Sequence, residues 1–182
     1  MPTIITHAVV AAGLTEAFPS RIVPRRLITL GAICSMAPDV DVLGSRFGIR
    51  YGDLWGHRGL THSLVFAVAF SLFAWAAGIP SVVGSIRRLF LWLYLFVCTA
   101  SHGLLDACTD GGLGVAFFSP FDTTRYFFPF RPIAVSPIGV RFFSERGISV
   151  LWSEFLWVWI PLIIFAGAVF IVRRALSREA QV

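Results

Sequence analysis

At 182 residues the chain fits one folding unit, and 57% hydrophobic residues with a mean hydropathy of +0.79 argue against a soluble globule and for an integral membrane protein. The formal charge is +5, and all fifteen basic residues are arginines that flank apolar runs, which fits membrane topology and phosphate contact better than a nucleic-acid face. The three cysteines form no CxxC pair, and Cys34 and Cys98 lie inside apolar runs, which favours buried small residues over a disulfide framework.

In chain order, Ile4 to Phe18 reads as a short apolar helix with His7 in its first turn. The run carries Thr6, His7, Thr15 and Glu16 and has no basic region before it, so it is a poor secretory signal. Arg21, Pro24, Arg25 and Arg26 make a basic turn. A second apolar helix, Leu27 to Met36, should break at Pro38 and leave Asp39 and Asp41 at its C-terminal mouth. Carboxylates are disfavoured beside the negative end of a helix dipole, so two of them there ask for a cation. A plain Pro-Asp turn is the bland alternative.

Leu43 to Trp55 reads as an exposed glycine-rich loop, and His-Arg-Gly-Leu-Thr-His-Ser follows at His57 to Ser63. Gly59 predicts a bend, Thr61 a cap, and Leu64 to Ile79 a membrane helix with His57 and His62 at its head. After a short loop from Pro80 to Ser85 and the pair Arg87-Arg88, a return helix from Leu89 continues through Ser101 to Asp106. His102 and Asp106 then share one face at i and i+4, as a ligand pair, a ligand with a supporting carboxylate, or an internal ion pair.

From Asp110 the glycines and prolines forbid long elements, and nine phenylalanines and tyrosines between Phe117 and Phe143 alternate with Arg125, Arg131, Arg141 and Arg146. Such a segment suits the lipid headgroup layer or a lid packed on the helices. Leu151 to Val172 is the cleanest transmembrane stretch, closed by Arg173, Arg174 and Arg178.

The expected fold is therefore all-α: a polytopic membrane bundle of about five helices, the first two short, forming one domain over 1–182. Site-bearing helices occupy 1–109, an irregular Pro/aromatic-rich interfacial loop 110–150, and the last transmembrane helix 151–174. With the short basic turns on the cytoplasmic side, the helices alternate and all four histidines fall at the opposite, outer face with Asp39, Asp41 and Asp106. Imidazoles and carboxylates without cysteine suit Zn²⁺, with Mn²⁺ or Fe²⁺ as alternatives, and seven candidate ligands (His7, Asp39, Asp41, His57, His62, His102 and Asp106) leave room for two or more ions. Such ions activate water and clamp phosphoryl oxygens.

The early His7, Pro-Asp-x-Asp at Pro38 to Asp41, His-Arg-Gly-x-Thr-His-Ser at His57 to Ser63 and Ser-His-x-x-x-Asp at Ser101 to Asp106 together resemble the YdjM-like group of bacterial inner-membrane proteins described as metal-dependent hydrolases. The resemblance covers about the first two-thirds of the chain. One departure is Val42, where some members carry a histidine. The group is distantly similar to helical zinc-dependent phospholipases C, which implies phosphoester hydrolysis on a lipid or lipid-linked substrate. On that reading His57, Arg58 and Asp41 are catalytic, Arg58, Arg125 and Arg131 bind phosphate, and the partners are lipid and membrane, not nucleic acid. A non-catalytic transporter, a metallochaperone and a membrane scaffold are the alternatives.

Overall fold

The structure, a computed structural model, describes residues 1–19, 22–24, 27–79, 84–137 and 139–179. The basic turn at Arg21, Arg25 and Arg26 and most of the loop beginning at Pro80 lie outside the described residues, as does the side chain of Arg178. The Thr3 hydroxyl opens α1 (Ile4–Leu14) by accepting the Thr6 N–H, and a short 3₁₀ turn, Thr15–Ala17, extends it. Next come α2 (Ile28–Met36), α3 (Leu64–Gly78), α4 (Ser85–Ala107), α5 (Glu145–Glu154) and α6 (Ile160–Glu179). A π-helical turn, Phe155–Trp159, joins the last two into one rod. The fold is an all-helical membrane bundle. Among the described residues, strand pairing is limited to two isolated bridges, Thr109 with Ile133 and Val115 with Tyr126.

Several expected boundaries move: α4 begins at Ser85 and not at Leu89, and the C-terminal rod begins at Glu145, inside the segment 110–150 expected as loop. Pro38 does not end the helical path: it occupies the first turn of a 3₁₀ run, Ala37–Phe47, that continues directly from α2 and stops at Gly48 with φ +81°. Proline lacks an N–H and is tolerated at a helix start, so the chain tightens there instead of breaking. The cap of α3 is Ser63, whose hydroxyl accepts the Phe66 N–H, and not Thr61. Thr61 instead donates to Asp41.

The core lies between α1, α2, α3 and α4. Leu91, Tyr94, Leu95 and Cys98 form a buried stripe on α4 that meets Ala11, Cys34 and Ala74. Helices approach closely through small residues, as expected where lipid removes the hydrophobic drive between them. A β-carbon on Gly31 would lie 2.2 Å from the Tyr94 hydroxyl, which is held by the Ala11 carbonyl. Two helices, Ser85–Ala107 and Glu145–Leu176, are long and apolar enough to cross a membrane. At 23 residues α4 spans roughly 34 Å, slightly more than a hydrocarbon core.

The proline/aromatic segment is a folded pad with an apolar rim. Val115, Ala116 and Ile133 are buried, and its backbone bonds the chain at Arg58, Leu64 and Ala107. Phe121 and Phe143 project outward at 86% and 87% exposure, so features of both the lid and the headgroup-layer expectation are present.

Glu154 ties the C-terminal rod to the start of α1. Its fully buried carboxylate accepts the Thr3 N–H and the hydroxyls of Thr3 and Thr6, while the Trp159 indole donates to Thr6 Oγ1 at 2.8 Å. The wider π turn lets Glu154 and Trp159, five residues apart, address the same strip of α1. The carboxylate also meets the positive end of the α1 dipole. Replacing Glu154 by Ala strands three buried donors and should lower stability by on the order of 3 kcal/mol. Glu154→Gln, which keeps an acceptor, should lose less. Thermal unfolding in detergent measures both, and equal midpoints for Ala and wild type would refute the tie.

Candidate metal centre

Four elements deliver polar groups to one end of the bundle. The first turn of α1 supplies His7, and the 3₁₀ run after α2 supplies Asp39 and Asp41. The turn before α3 supplies His57, Arg58 and His62, and the last turns of α4 supply His102 and Asp106. Gly103 lets these elements close: a β-carbon there would sit 2.8 Å from the His62 carbonyl oxygen.

One ligand-type atom from each of Asp39, His62, His102 and Asp106 falls within a 4.8 Å group, and Asp41, His57 and His62 form a second such group sharing His62. His7 stacks on His102 with ring centroids 3.8 Å apart, and its Nε2 lies 3.8 Å from Asp106 Oδ1. All seven expected ligands therefore meet in one cluster.

Their surroundings separate them into two kinds. His102 Nδ1 lies 2.7 Å from the Ser35 carbonyl, which only accepts, so Nδ1 carries a proton and Nε2 faces the cluster. That Nε2 is 3.0 Å from His62 Nε2 and 3.2 Å from Asp39 Oδ1. His62 Nδ1 lies 3.2 Å from Asp41 Oδ2 and 3.0 Å from Thr61 Oγ1, and His57 Nδ1 is 2.8 Å from Asp41 Oδ1. Asp41 thus has both oxygens engaged and orients two imidazoles, the carboxylate–histidine arrangement that supports metal ligands. Asp39 and Asp106 differ. Their four carboxylate oxygens, like both ring nitrogens of His7, are buried without a well-formed hydrogen bond. Buried polar atoms of this kind are normally satisfied, and a cluster of orphaned anionic and imidazole atoms fits a bound cation.

Arg58 does not fit the expectation of a phosphate-binding group. Its side chain is fully buried, Nε lies 3.1 Å from Asp106 Oδ2, and the other nitrogens donate to Thr109 Oγ1 and the Gly111 carbonyl. No donor is left facing solvent, and its backbone takes φ +63°, a strained choice for a side chain this large. Arg125 donates to the carbonyls of His57, Tyr51 and Asp53, and exposed Arg131 stacks over Phe127. Both have structural engagements in place of an approach to the cluster.

The sequence reading missed Ser35, Thr61, Thr109 and Glu154, which orient the cluster or its elements. Thr61 alone had a signal, its place between two histidines. The others act through contacts 28 to 151 residues distant in sequence, or through a turn that periodicity does not reveal.

Three carboxylates face one guanidinium here, and the imidazole balance follows. Burial opposes a charge on His62, but the carboxylates of Asp106, Asp39 and Asp41 around it outweigh that and push the ring up to about 10. Burial likewise opposes ionisation of Asp41, yet His57 and His62 hold its carboxyl down at about 2. Asp39 is held below the usual carboxylate range against burial by His102 and His62.

These features define a helical membrane protein with a buried His/Asp centre at one end of its bundle. The chain belongs to the YdjM inner membrane protein family, whose profile matches residues 1–177. It is similar to the inner membrane protein YbcI of Escherichia coli (strain K12), with 41% identity over 175 residues, covering 96% of this chain and all of that protein. No solved structure matches it.

The signs of the shifts fix the pH dependence of the ion-free protein. His62 has its pKa raised from 6.5 to about 10 on folding, so its contribution to stability is complete below pH 6.5 and is lost as pH rises through about 10. Asp41 is lowered from 3.8 to about 2, so its contribution is complete above pH 3.8 and is lost as pH falls through about 2. Thermal unfolding of chelator-treated protein should decline on the alkaline limb, and His62→Gln should flatten that limb. Parallel alkaline limbs in the two proteins would show that His62 does not carry the effect.

Proposed function

We propose that the protein is a membrane-bound, divalent-metal-dependent hydrolase acting on a phosphoester of a lipid or lipid-linked substrate at the outer face of the inner membrane. The observation that supports it most is the set of buried carboxylate oxygens and imidazole nitrogens on Asp39, Asp106 and His7 that lack a well-formed hydrogen bond, beside Nε2 of His62 and of His102. Three carboxylates and one guanidinium leave two negative charges, the amount one divalent cation neutralises. Asp39, His62, His102 and Asp106 are the proposed ligands, with His7 completing the set or serving a second ion. The donors are nitrogen and oxygen without thiolate, which suits Zn²⁺ ahead of Mn²⁺ or Fe²⁺. A divalent ion there supplies Lewis acidity for hydrolysis of a phosphoester.

The remaining roles fall to the chain. Asp41 holds His57 by Nδ1, which leaves Nε2 to accept a proton from the attacking water and return it to the leaving oxygen. Arg58 acts as a positioning residue, fixing Asp106. A small pocket of about 90 Å³ beside His57, lined also by Tyr51, Ser45, Val42 and Ile49, opens on the loop side. Arg87 and Arg88 open α4, and Arg173 and Arg174 lie in the last turns of α6, at the end away from the cluster, which supports an outward-facing cluster under the positive-inside rule. The likeness to zinc-dependent phospholipases C supports the reaction class by analogy alone.

Elemental analysis of protein purified without chelator tests this reading. Wild type should hold roughly one divalent transition metal per chain or more, and folded His62→Ala and Asp106→Asn should lose it. Asp41→Asn should weaken binding by roughly 10- to 100-fold without abolishing it, as expected of a supporting carboxylate. Wild-type protein that is metal-free and takes up neither Zn²⁺ nor Mn²⁺ would overturn the proposal.

A further inference from the structure

We infer that the apolar cleft between α2 and α3 is the slot for one acyl chain of a membrane glycerophospholipid, with the lipid head group directed past Asp41 and Thr61 to the cluster. This deepens the hydrolase reading, on which its head-group half rests. The cleft measures about 720 Å³ and reaches Asp41 and Thr61 at the edge of the cluster. Ile33 and Met36 of α2, Val40 of the 3₁₀ run, Trp55 of the loop, and Phe66 and Phe70 of α3 line it.

Three observations carry the assignment. Ile33, Val40 and Trp55 stand 50%, 63% and 60% exposed toward one concavity, an arrangement that is favourable only against hydrocarbon. The polarity is graded: among the described residues no arginine or histidine lines the cleft, and its carboxylate and hydroxyl belong to Asp41 and Thr61. A phosphate therefore has no partner along the walls, and the head can only lie at the centre while the chain lies in the cleft. The wall also continues onto the apolar outer face of α3, where Val65, Leu72 and Phe73 are exposed to the bilayer. That makes the surrounding glycerophospholipid the occupant with a direct lateral path.

Charge gives the slot a signature that ordinary boundary lipid lacks. Without an ion the cluster carries a carboxylate excess and repels a phosphate, whereas a neutral diacylglycerol feels only the cleft. Chain binding should be independent of metal, and phosphate-headed binding should require it. The path also differs from entry beneath the aromatic pad: the chain passes between α2 and α3, and the pad covers the other side of the His62 turn through Phe117 and Val115, which lie against Gly103.

The test uses the full chain in phosphatidylethanolamine/phosphatidylglycerol vesicles with trace diacylglycerol or phosphatidic acid carrying a mid-chain diazirine. Labelled peptides are mapped by mass spectrometry, before and after chelation, with metal content measured on the same samples. Diacylglycerol should label the segments holding Met36 and Phe70 in both states, and phosphatidic acid should do so only with metal present. Val40→Trp and Ile33→Trp, two independent fillings of the cleft, should each cut labelling by roughly tenfold or more while retaining metal. Labelling spread equally over Leu72, Phe73 and α6, or unchanged by both fillings, would overturn the slot. Displacement by an isoprenyl phosphate but not by excess phospholipid would assign it to a different chain. If wild type proves metal-free, the hydrolase reading falls, and the diacylglycerol pattern alone still decides the slot.

Discussion

Three carboxylates packed into one end of an apolar bundle make a structure that has to be neutralised. Asp39, Asp41 and Asp106 are drawn together within reach of His62, and Arg58 is the one permanently charged partner lodged among them. In a low-dielectric setting the repulsion between such groups is large, so the bundle closes only with compensating positive charge. In the ion-free protein a proton on His62 supplies part of it. A divalent cation that displaced this proton would supply more, with His62 Nε2 and His102 Nε2 lying 3.0 Å apart at the centre of the cluster. The helix ends, the 3₁₀ run and the strained Arg58 backbone all serve to bring these groups to one point.

The carboxylates are not equivalent, and their hydrogen bonds say why. Asp41 is satisfied by Thr61, His57 and His62, so it behaves as a fixed strut that sets ring orientation and tautomer. Asp39 and Asp106 keep oxygens that nothing in the chain properly satisfies. Their positions follow from winding. At three residues per turn, Asp39 and Asp41 leave the 3₁₀ run in different directions, one toward His102 and the other toward His57, with His62 between. An ordinary turn after Pro38 would not impose that separation.

Much of this was legible in the sequence because ligand chemistry restricts residue type and spacing. His102 and Asp106 at i and i+4 must share a helix face, and an apolar chain with four histidines gathered at helix ends has few ways to arrange them. Family membership follows from the same motifs. What the sequence hides is direction. Arg58, next to His57, reads as an outward phosphate clamp until its left-handed backbone turns it inward onto Asp106. Pro38 reads as a stop, and Thr61 as a cap, because local rules assign each its commonest use. Glu154 is the hardest case: it looks like a blemish in a transmembrane helix, and its partners Thr3 and Thr6 are about 150 residues away. No periodicity encodes such a contact. Only the π turn that widens the helix beside it explains how the chain tolerates it.

The depth of the cluster gives the reading its last constraint. Hydrolysis of a lipid needs water and hydrocarbon to meet at one bond, and a site at the bilayer midplane would lack the water. Here the ligands sit at the ends of α1, α3 and α4, beside a pad whose exposed phenylalanines suit the headgroup layer. Asp41 stands between two openings: the small pocket with His57 and Tyr51 on one side and the large apolar cleft with Phe66 on the other. A carboxylate locked by three hydrogen-bonding partners is a poor candidate for a mobile catalyst but a good partition. On the proposed reading it would separate the face where His57 takes a proton from the face that receives hydrocarbon. On that reading the Asp39–His62–His102–Asp106 cluster is the place where the two phases would join.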